Sequence, residues 1–160
     1  MRNAVRIARR RPSNAVKPTL QPGLRHTFRF TVPPSKTVPN IYPEAADFQL
    51  MPPVFATGYM VALCEWACID LLKPHPDWLT EQSVGTHVNL SHTAATPPGL
   101  TVTVTVALDK IEGRKLSFSI SAHDGVDAIT SGTHERVAID PVKFNDKLAE
   151  KRVQSQLIQE

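Results

Sequence analysis

Two residues of this sequence could together perform acid–base chemistry, the carboxylate of Glu65 and the imidazole of His92. Glu65 stands in the middle of Val54–Leu72, a run of nineteen residues that is apolar on nearly every side. None of its neighbours one helical turn away is a cation. A buried, unpaired carboxylate is costly, so it either gains a partner from elsewhere in the fold or takes up a proton. An imidazole exchanges protons near neutral pH, which makes His92 a natural match for it.

The stretch that carries Glu65 predicts one long helix. Two prolines precede it and Lys73-Pro74 follow it, so the helix has a start signal and a stop signal. A helix that is apolar all round has no face prepared for water. We therefore predict that Val54–Leu72 is a helix buried on every side.

The position of His92 depends on strand periodicity. Residues Gly85–His92 alternate, which is typical of a strand with two different faces. One face holds Thr86, Val88, Leu90 and His92, and Gly85 belongs to the opposite face. If Val88 and Leu90 face the helix, His92 faces it as well. A core histidine bonded to a backbone carbonyl is the alternative, and the pattern alone does not decide between the two.

Most of the remaining sequence also predicts strands. Residues 24–32 alternate and place His26, Phe28 and Phe30 on one face. Three more strands follow the one that precedes His92, in residues 100–108, 115–123 and 126–139. Asp124-Gly125 predicts a tight turn between the last two, and Gly132 suggests a bulge.

The element order is a strand, a Pro-rich loop, the long helix and four consecutive antiparallel strands. A helix that is apolar all round must be wrapped by the one available sheet, so we expect an α+β protein of the hotdog type. Residues 24–140 would form this domain, and residues 141–160 a surface helix or tail. The Pro-rich loop, residues 33–53, contains Tyr42, Phe48 and Met51 and is predicted to pack over the site as a lid segment.

Composition and charge restrict the class of protein. The chain has 160 residues, 41% hydrophobic and 21% charged, as expected for one globular domain with no membrane span. Its formal charge of +3 is uneven, because residues 1–43 hold nine Lys/Arg and no Asp/Glu. The other 117 residues carry nine basic and fifteen acidic groups, a net charge of −6. This acidic remainder argues against a nucleic-acid-binding surface.

The basic leader, residues 1–23, is Arg-rich and broken by prolines, and we expect it to be disordered. A solvated tail, a nucleic-acid-binding arm, an organelle transit peptide and an overlong start codon choice are alternative interpretations. No apolar segment follows the arginines, so a secretory signal is not indicated.

The cysteines are Cys64 and Cys68, both on the predicted helix. At this spacing their side chains point badly for a disulfide, so a reducing compartment, the cytoplasm, fits best. We expect core packing and no bound metal.

Three long motifs resemble the hotdog thioesterases related to fluoroacetyl-CoA thioesterase. They are VFATGYMVALCEWAC (54–68), HTAATPPGLTVTVTVAL (92–108) and SAHDGVDAITSGTHERVAI (121–139). KTVPNIYPEAADF and KFNDKL are similar to further parts of that family, so the resemblance covers about residues 24 to 150. It implies a thioester hydrolase that acts on acyl-CoA without a cofactor, as a homodimer.

The resemblance also implies site residues. Thr57, Glu65 and His92 match the family's catalytic threonine, glutamate and histidine. Gly85 matches a glycine beside the substrate thioester, and Arg136 matches an arginine in the last strand. By itself the sequence would make Thr57 an N-cap or a core hydroxyl. Whether Glu65 attacks the thioester or orients a water molecule stays open.

The lid segment departs from the family. Of two family phenylalanines that form an aromatic lid, Phe48 is kept, whereas Met51 replaces the second. Methionine is flexible and presents no fixed aromatic surface. The resemblance implies a short-chain acyl-CoA substrate, and the change at Met51 leaves open whether fluoroacetyl is preferred over acetyl. A non-hydrolytic acyl-CoA-binding protein is the alternative, and Arg114, Lys115 and Arg136 are candidates to bind the CoA phosphates.

Overall fold

The computed structural model describes residues 19–75 and 81–158 and has the predicted α+β architecture. Two 3₁₀ turns, Pro34–Lys36 and Val38–Asn40, lie in the lid segment. The strands are β1 (Arg25–Thr31), β2 (Gln82–Leu90), β3 (Thr101–Glu112), β4 (Lys115–His123) and β5 (Ala128–Ile139). The helices are α1 (Ala46–Gln49), α2 (Thr57–Leu72) and α3 (Pro141–Ile158). Within this part of the chain, no helix has the length and apolar character needed to cross a bilayer.

The five strands form one antiparallel sheet in the order β1-β3-β4-β5-β2. Its edges are therefore β1 and β2. α2 packs against this sheet, and the core forms where the two meet. Both elements contribute apolar side chains that exclude water. From α2 these are Met60, Leu63, Cys64, Ala67, Cys68, Leu71 and Leu72, and from the sheet they include Val102, Val104, Val106, Leu108, Leu116, Phe118 and Ile120.

The prediction that the central helix is buried on every side is wrong for the single chain. The helix begins at Thr57, three residues later than predicted, and Ala62 is exposed. Trp66 is 45% exposed, although its ring packs on Phe28 with a centroid distance of 4.7 Å. One five-stranded sheet covers only one side of a helix. The other side of α2 is therefore apolar in composition without being covered by this sheet.

A β-bulge changes which residues of β2 face the helix. The pairing with β5 shifts between Gly85 and His87, so Thr86 is the extra residue. Gly85 pairs with Arg136, and Val88 pairs with His134, both of which are buried on the helix side. The alternation that assigned Gly85 to the opposite face is therefore wrong, because a bulge reverses the parity of a strand. β2 ends at Leu90, so His92 lies in the following loop.

The bulge predicted at Gly132 is also wrong. Pairing is continuous through Gly132 on both sides, and the irregularity of β5 lies next to His123 instead. Gly132 has a φ of 151°, and a Cβ there would overlap the carbonyl oxygen of Asn89. Close approach of β2 therefore accounts for the glycine. The hairpin predicted at Asp124-Gly125 is confirmed, with the loop 124–127 between β4 and β5.

The segments before β1 and after β5 differ in how closely they pack on this domain. Residues 1–18 of the predicted leader lie outside the described residues, but Leu20 is buried in the core cluster. The backbone N–H of Gly23 also donates to the carbonyl of Leu108. At the other end α3 lies on the surface, with its described side chains mostly exposed. The side chain of Asp140 accepts bonds from the N–H groups of Val142 and Lys143 and so caps this helix.

Candidate active site

The start of α2 is held by backbone hydrogen bonds on two sides. The N–H of Phe55 donates to the carbonyl of Thr96 at 2.8 Å, and the N–H of Ala56 donates to Lys36 at 3.1 Å. Phe55 and Ala56 are both buried. Thr57 is the first helical residue rather than the N-cap, and its side chain is exposed. Its hydroxyl is thus presented at a fixed position instead of capping the helix.

The loop after β2 brings His92 to that hydroxyl. Backbone bonds on either side of His92, from Ser91 to Ser131 and from Thr93 to Ile129, tie the loop to β5. Nδ1 of His92 lies 2.8 Å from Oγ1 of Thr57. Its Nε2 is buried and has no hydrogen-bond partner among the described residues. One ring nitrogen is therefore oriented by Thr57, and the other is covered by the chain itself.

The electrostatics of His92 favour the neutral imidazole. Burial lowers the pKa of His92 below its ordinary value, and a backbone bond with Ala94 opposes part of that shift. A neutral imidazole accepts a proton through its unprotonated nitrogen. His92 can therefore act as a general base at neutral pH.

Glu65 lies on the other side of the site, against β2 and β5. Its Oε1 is 3.6 Å from Nη1 of Arg136 and 3.4 Å from Nε2 of His134. Its side chain remains 36% exposed. A Cβ on Gly85 would overlap this carboxylate oxygen. Gly85 is thus the residue whose missing side chain leaves room for Glu65.

The carboxylate is less buried than predicted, and its charged partner is Arg136, not His92. The described residues bring together Glu65, Gly85 and Arg136, and separately Thr57 and His92. Along an ideal helix Thr57 and Glu65 are roughly 12 Å apart, so the two groups line one stretch of α2 without contact. The arginine could not be assigned from spacing alone, because the inward face of β5 depends on its register with β2.

Arg136 is itself fixed from behind. Its side chain is 4% exposed, and Nε and Nη2 donate to the hydroxyl and the carbonyl of Ser83 at 2.8 and 2.9 Å. Burial lowers the pKa of Arg136, and the charge of Glu65 opposes that shift. Its remaining terminal nitrogen, Nη1, lies 3.1 Å from Nε2 of His134. Only Nη1 of the guanidinium therefore faces Glu65, and the bonds to Ser83 fix its orientation.

Two of these residues, Ser83 and His134, were not identified from the sequence. The signal was present for one of them, since His134 and Arg136 stand two apart on a strand and must share a face. Burial is the main cause that lowers the pKa of His134 below its ordinary value, and the charge of Arg136 lowers it further. Ser83 contributes its backbone as well as its side chain, which no residue pattern indicates.

The lid segment carries the predicted aromatic residue. Phe48 lies on α1 and stacks on Tyr42 at a centroid distance of 6.1 Å. Gln49 anchors α1 by donating to the carbonyl of Pro39. Met51 is 47% exposed and Leu50 is 86% exposed. Exposed apolar side chains directly after a short helix are suited to cover an apolar ligand.

The residues considered for the CoA phosphates are not placed together at this site. Lys115 forms an ion pair with Glu135 at 2.7 Å on the face of the sheet opposite Arg136. Nε of Arg114 donates to the carbonyl of Ala138. Arg136 faces the site but is buried and already bonded. The three residues therefore do not form one cluster at this site.

The cysteines pack in the core, as predicted. Cys64 and Cys68 are both free and buried, and burial raises the pKa of each thiol to about 12. They are therefore protonated and poor nucleophiles at neutral pH. Within residues 19–75 and 81–158, no three His, Cys, Asp or Glu side chains are grouped as metal ligands.

Comparison with known proteins places the chain in a family. The family model described as fluoroacetyl-CoA-specific thioesterase matches residues 33–141. The fluoroacetyl-CoA thioesterase of Streptantibioticus cattleyicolor is 54% identical over 136 residues, which are 85% of this chain and 97% of that protein.

Solved structures agree with this assignment. A mutant of a fluoroacetyl-CoA thioesterase in complex with acetyl-CoA has a TM-score of 0.80 and 54% identity, covering 82% of this chain and 98% of that one. A thioesterase superfamily member of Thermus thermophilus has a TM-score of 0.73 and 25% identity, covering 90% and 100%. The protein is thus a thioester hydrolase of the hotdog fold that acts on acyl-CoA. Within that class, the chain belongs to the fluoroacetyl-CoA-specific thioesterase family.

Proposed function

We propose that the protein hydrolyses short-chain acyl-CoA thioesters to the free acid and CoA, using Thr57, Glu65 and His92. The observation that supports this proposal is the presence of two sets of functional groups along α2. A neutral imidazole bonded to a threonine hydroxyl stands at the helix start, and a half-exposed carboxylate stands two turns further along. Thioester hydrolysis needs a group that acts on the carbonyl carbon, a proton carrier and donors for the oxyanion.

Each group has a place in that chemistry. The carboxylate of Glu65 acts on the carbonyl carbon, either by direct attack to form an acyl-enzyme or by removing a proton from an attacking water. His92, a neutral base oriented by Thr57, takes up the proton that water releases and returns it to the departing CoA thiolate. The first N–H groups of a helix have no intrahelical partner, so the start of α2 can donate to the oxyanion.

The two forms of the reaction differ in whether an acyl group is bonded to Glu65. In the acyl-enzyme form, Glu65 bonds to the acyl carbon as the C–S bond breaks, and water then cleaves the new anhydride. Rapid-quench mass spectrometry of the Glu65 peptide during a single turnover separates the forms. An acyl adduct on Glu65 supports attack by the carboxylate, whereas turnover without an adduct supports attack by water.

The acyl group is selected by the lid segment, in which Phe48 and Met51 would cover the bound acyl chain. Methionine fits many shapes, so we propose a broad short-chain specificity with little preference for fluoroacetyl over acetyl. Steady-state hydrolysis of acetyl-, fluoroacetyl-, propionyl- and butyryl-CoA tests this, with release of free thiol as the signal. Comparable kcat/KM values are expected. A large advantage for fluoroacetyl-CoA would overturn the broad specificity, and no hydrolysis of any of them would indicate a binding protein instead.

We further propose that the active form is a homodimer joined along β2. This strand is an edge of the sheet, and Val88 on its helix-facing side is 41% exposed. Thr57, at the exposed start of α2, meets His92 in the loop that follows this strand. Exposed edges and apolar faces of this kind are usually covered by another element.

Symmetry gives the dimer a role in catalysis. Antiparallel pairing of two β2 strands about a two-fold axis sets the start of one strand against the end of the other. Glu65 lies against Gly85, in the first half of β2, and His92 follows the end of the strand. We therefore propose that each site combines Thr57 and His92 of one protomer with Glu65 of the other. Sedimentation at twice the mass of the chain is expected, and a monomer with full activity would contradict it.

The cytoplasm is the compartment we propose for this enzyme. Two free thiols persist most readily in a reducing environment, and acyl-CoA is a soluble substrate. Fractionation of cells that express the protein with its native amino terminus tests this assignment.

A further inference from the structure

A buried histidine that is not one of the proposed catalytic residues lies beside Glu65 and Arg136. His134 lies on β5 two residues before Arg136, and its side chain is 1% exposed. Both of its ring nitrogens are engaged. Nδ1 lies 2.8 Å from the carbonyl oxygen of His87, and Nε2 lies 3.1 Å from Nη1 of Arg136.

These two contacts define the protonation of the ring. A carbonyl oxygen can only accept a hydrogen bond, and a guanidinium N–H can only donate one. Both bonds form together only if the imidazole is neutral, with its hydrogen on Nδ1 and a lone pair on Nε2. The lone pair is directed at Arg136, so the nearby Glu65 oxygen cannot receive a hydrogen bond from this ring.

The carbonyl group that fixes this tautomer lies beside the bulge of β2. The bulge at Thr86 lies next to His87, whose carbonyl accepts the Nδ1 hydrogen. On the far side, Ser83 engages Nε and Nη2 of Arg136. Only Nη1 is then left to face the site, where it is shared between His134 and Glu65.

We propose that His134 is a positioning residue for Glu65. Its Nε2 lone pair turns Nη1 of Arg136 toward the carboxylate, and the guanidinium holds that carboxylate beside Gly85. This inference rests on the proposed role of Glu65 in thioester hydrolysis. A histidine that only fills space in the core would not need its Nε2 as an acceptor.

Two substitutions separate these roles. In His134→Gln the amide oxygen can occupy the place of Nε2 and still accept from Arg136. In His134→Asn the shorter amide can replace Nδ1 and still donate to His87, but nothing remains near Nε2. Thr133→Ala, on the exposed face of the same strand, is the matched control.

The readout is the division of the effect between kcat and KM for acetyl-CoA hydrolysis by purified full-length protein. We expect His134→Asn to lower kcat about 100-fold with little change in KM, because the carboxylate loses its orientation. His134→Gln and Thr133→Ala should keep kcat within a few-fold of the parent. Equal kcat losses in the Gln and Asn variants, or full activity of the Asn variant, would overturn the proposal.

A measurement on the unaltered protein covers the case in which the variants do not fold. Nitrogen-15 NMR of histidine-labelled protein should show His134 as the neutral tautomer with its hydrogen on Nδ1. A hydrogen on Nε2 would overturn the proposal. If instead Glu65→Gln kept full activity, the proposed function of Glu65 would fail, whatever the state of His134.

Discussion

The two halves of the site are built to different degrees of rigidity. Thr57 and His92 meet at the exposed start of α2 through one side-chain hydrogen bond. Glu65, in contrast, lies against Arg136 and His134, which are nearly fully buried and bonded to the backbone of β2. The half with Thr57 and His92 is thus the open half, and the half with Glu65, which lies against the sheet, is the enclosed half.

This difference indicates which catalytic groups a single chain can position by itself. The charged carboxylate needs its counter-charge and its orientation before substrate binds, since an unpaired charge in a half-buried place is costly. Leaving one nitrogen of a neutral imidazole without a hydrogen bond costs less free energy, so His92 does not need a counter-charge before substrate binds. We expect changes in the enclosed half to affect catalysis through orientation, and changes in the open half through access and assembly.

The largest effect is expected from removing the charge in the enclosed half. Glu65→Gln should lower kcat by roughly 1,000-fold or more, because the amide neither attacks the carbonyl nor accepts a proton. Thermal unfolding should change little, since the amide has nearly the same shape. Glu135→Gln, on the outer face of β5, is the control and should keep its activity. Near-normal turnover by Glu65→Gln would remove this residue from the mechanism.

The same substitution at two glycines should separate catalysis from folding. Gly85→Ala pushes the end of the Glu65 side chain away, so kcat should fall about 100-fold. Because that side chain is flexible and half-exposed, the free energy of unfolding should change by less than about 1 kcal/mol.

Gly132→Ala should destabilise the fold and not act on catalysis directly. Its Cβ would overlap the backbone of Asn89, and the residue has a φ that favours glycine. A loss of roughly 2 kcal/mol in the free energy of unfolding is expected, and urea denaturation measures it. A stable, active Gly132→Ala protein would contradict the close approach of β2 and β5.

A smaller effect is expected in the lid segment, where the substitution alters selectivity rather than rate. Met51→Phe restores the aromatic residue of the family pattern and should raise the kcat/KM ratio of fluoroacetyl-CoA to acetyl-CoA by about tenfold. Competition between the two substrates measures this ratio directly. Leu50→Phe, at the neighbouring exposed position, tests whether any added aromatic ring suffices. An unchanged ratio in Met51→Phe would exclude the lid segment as the selector.

The smallest effect is the dependence of stability on pH. The pKa values of His92 and His134 are lowered in the folded protein, so the unfolded chain binds more protons as the pH falls. Their contribution is therefore fully present above about pH 6.5, the ordinary histidine value, and is lost as the pH falls toward the folded values. Urea denaturation between about pH 5 and 7.5 should show this slope. His134→Gln should flatten it, and an unchanged slope would contradict the buried neutral ring.

Much of the fold could be predicted from the sequence because its elements have strong periodic patterns. The helix-facing side of β1, the hairpin at Asp124-Gly125 and the buried cysteines follow from alternation, turn chemistry and apolar context. The need of Glu65 for a partner was also predictable, since no neighbour on its own helix could serve.

What could not be predicted depends on register. A single extra residue at Thr86 moves Gly85 to the helix side, and alternation alone does not reveal a bulge. The partner of Glu65 depends on which face of β5 turns inward, so Arg136 was indicated only by family resemblance. The exposed Trp66 shows a further limit, because an apolar helix face does not tell whether the same chain or a second copy covers it.

The most direct test of the account is complementation between the two halves. Glu65→Gln and His92→Ala proteins, each inactive alone, are unfolded together, refolded and assayed with acetyl-CoA. If each site takes Glu65 from one protomer and His92 from the other, random pairing restores one intact site in every mixed dimer. This gives about a quarter of the parent activity.

A mixture of Thr57→Ala and His92→Ala should stay inactive, because both changes fall in the same half. Recovery in the first mixture and none in the second is the predicted result. No recovery in the first mixture, with mixed dimers shown to form, would mean that each chain carries its whole site.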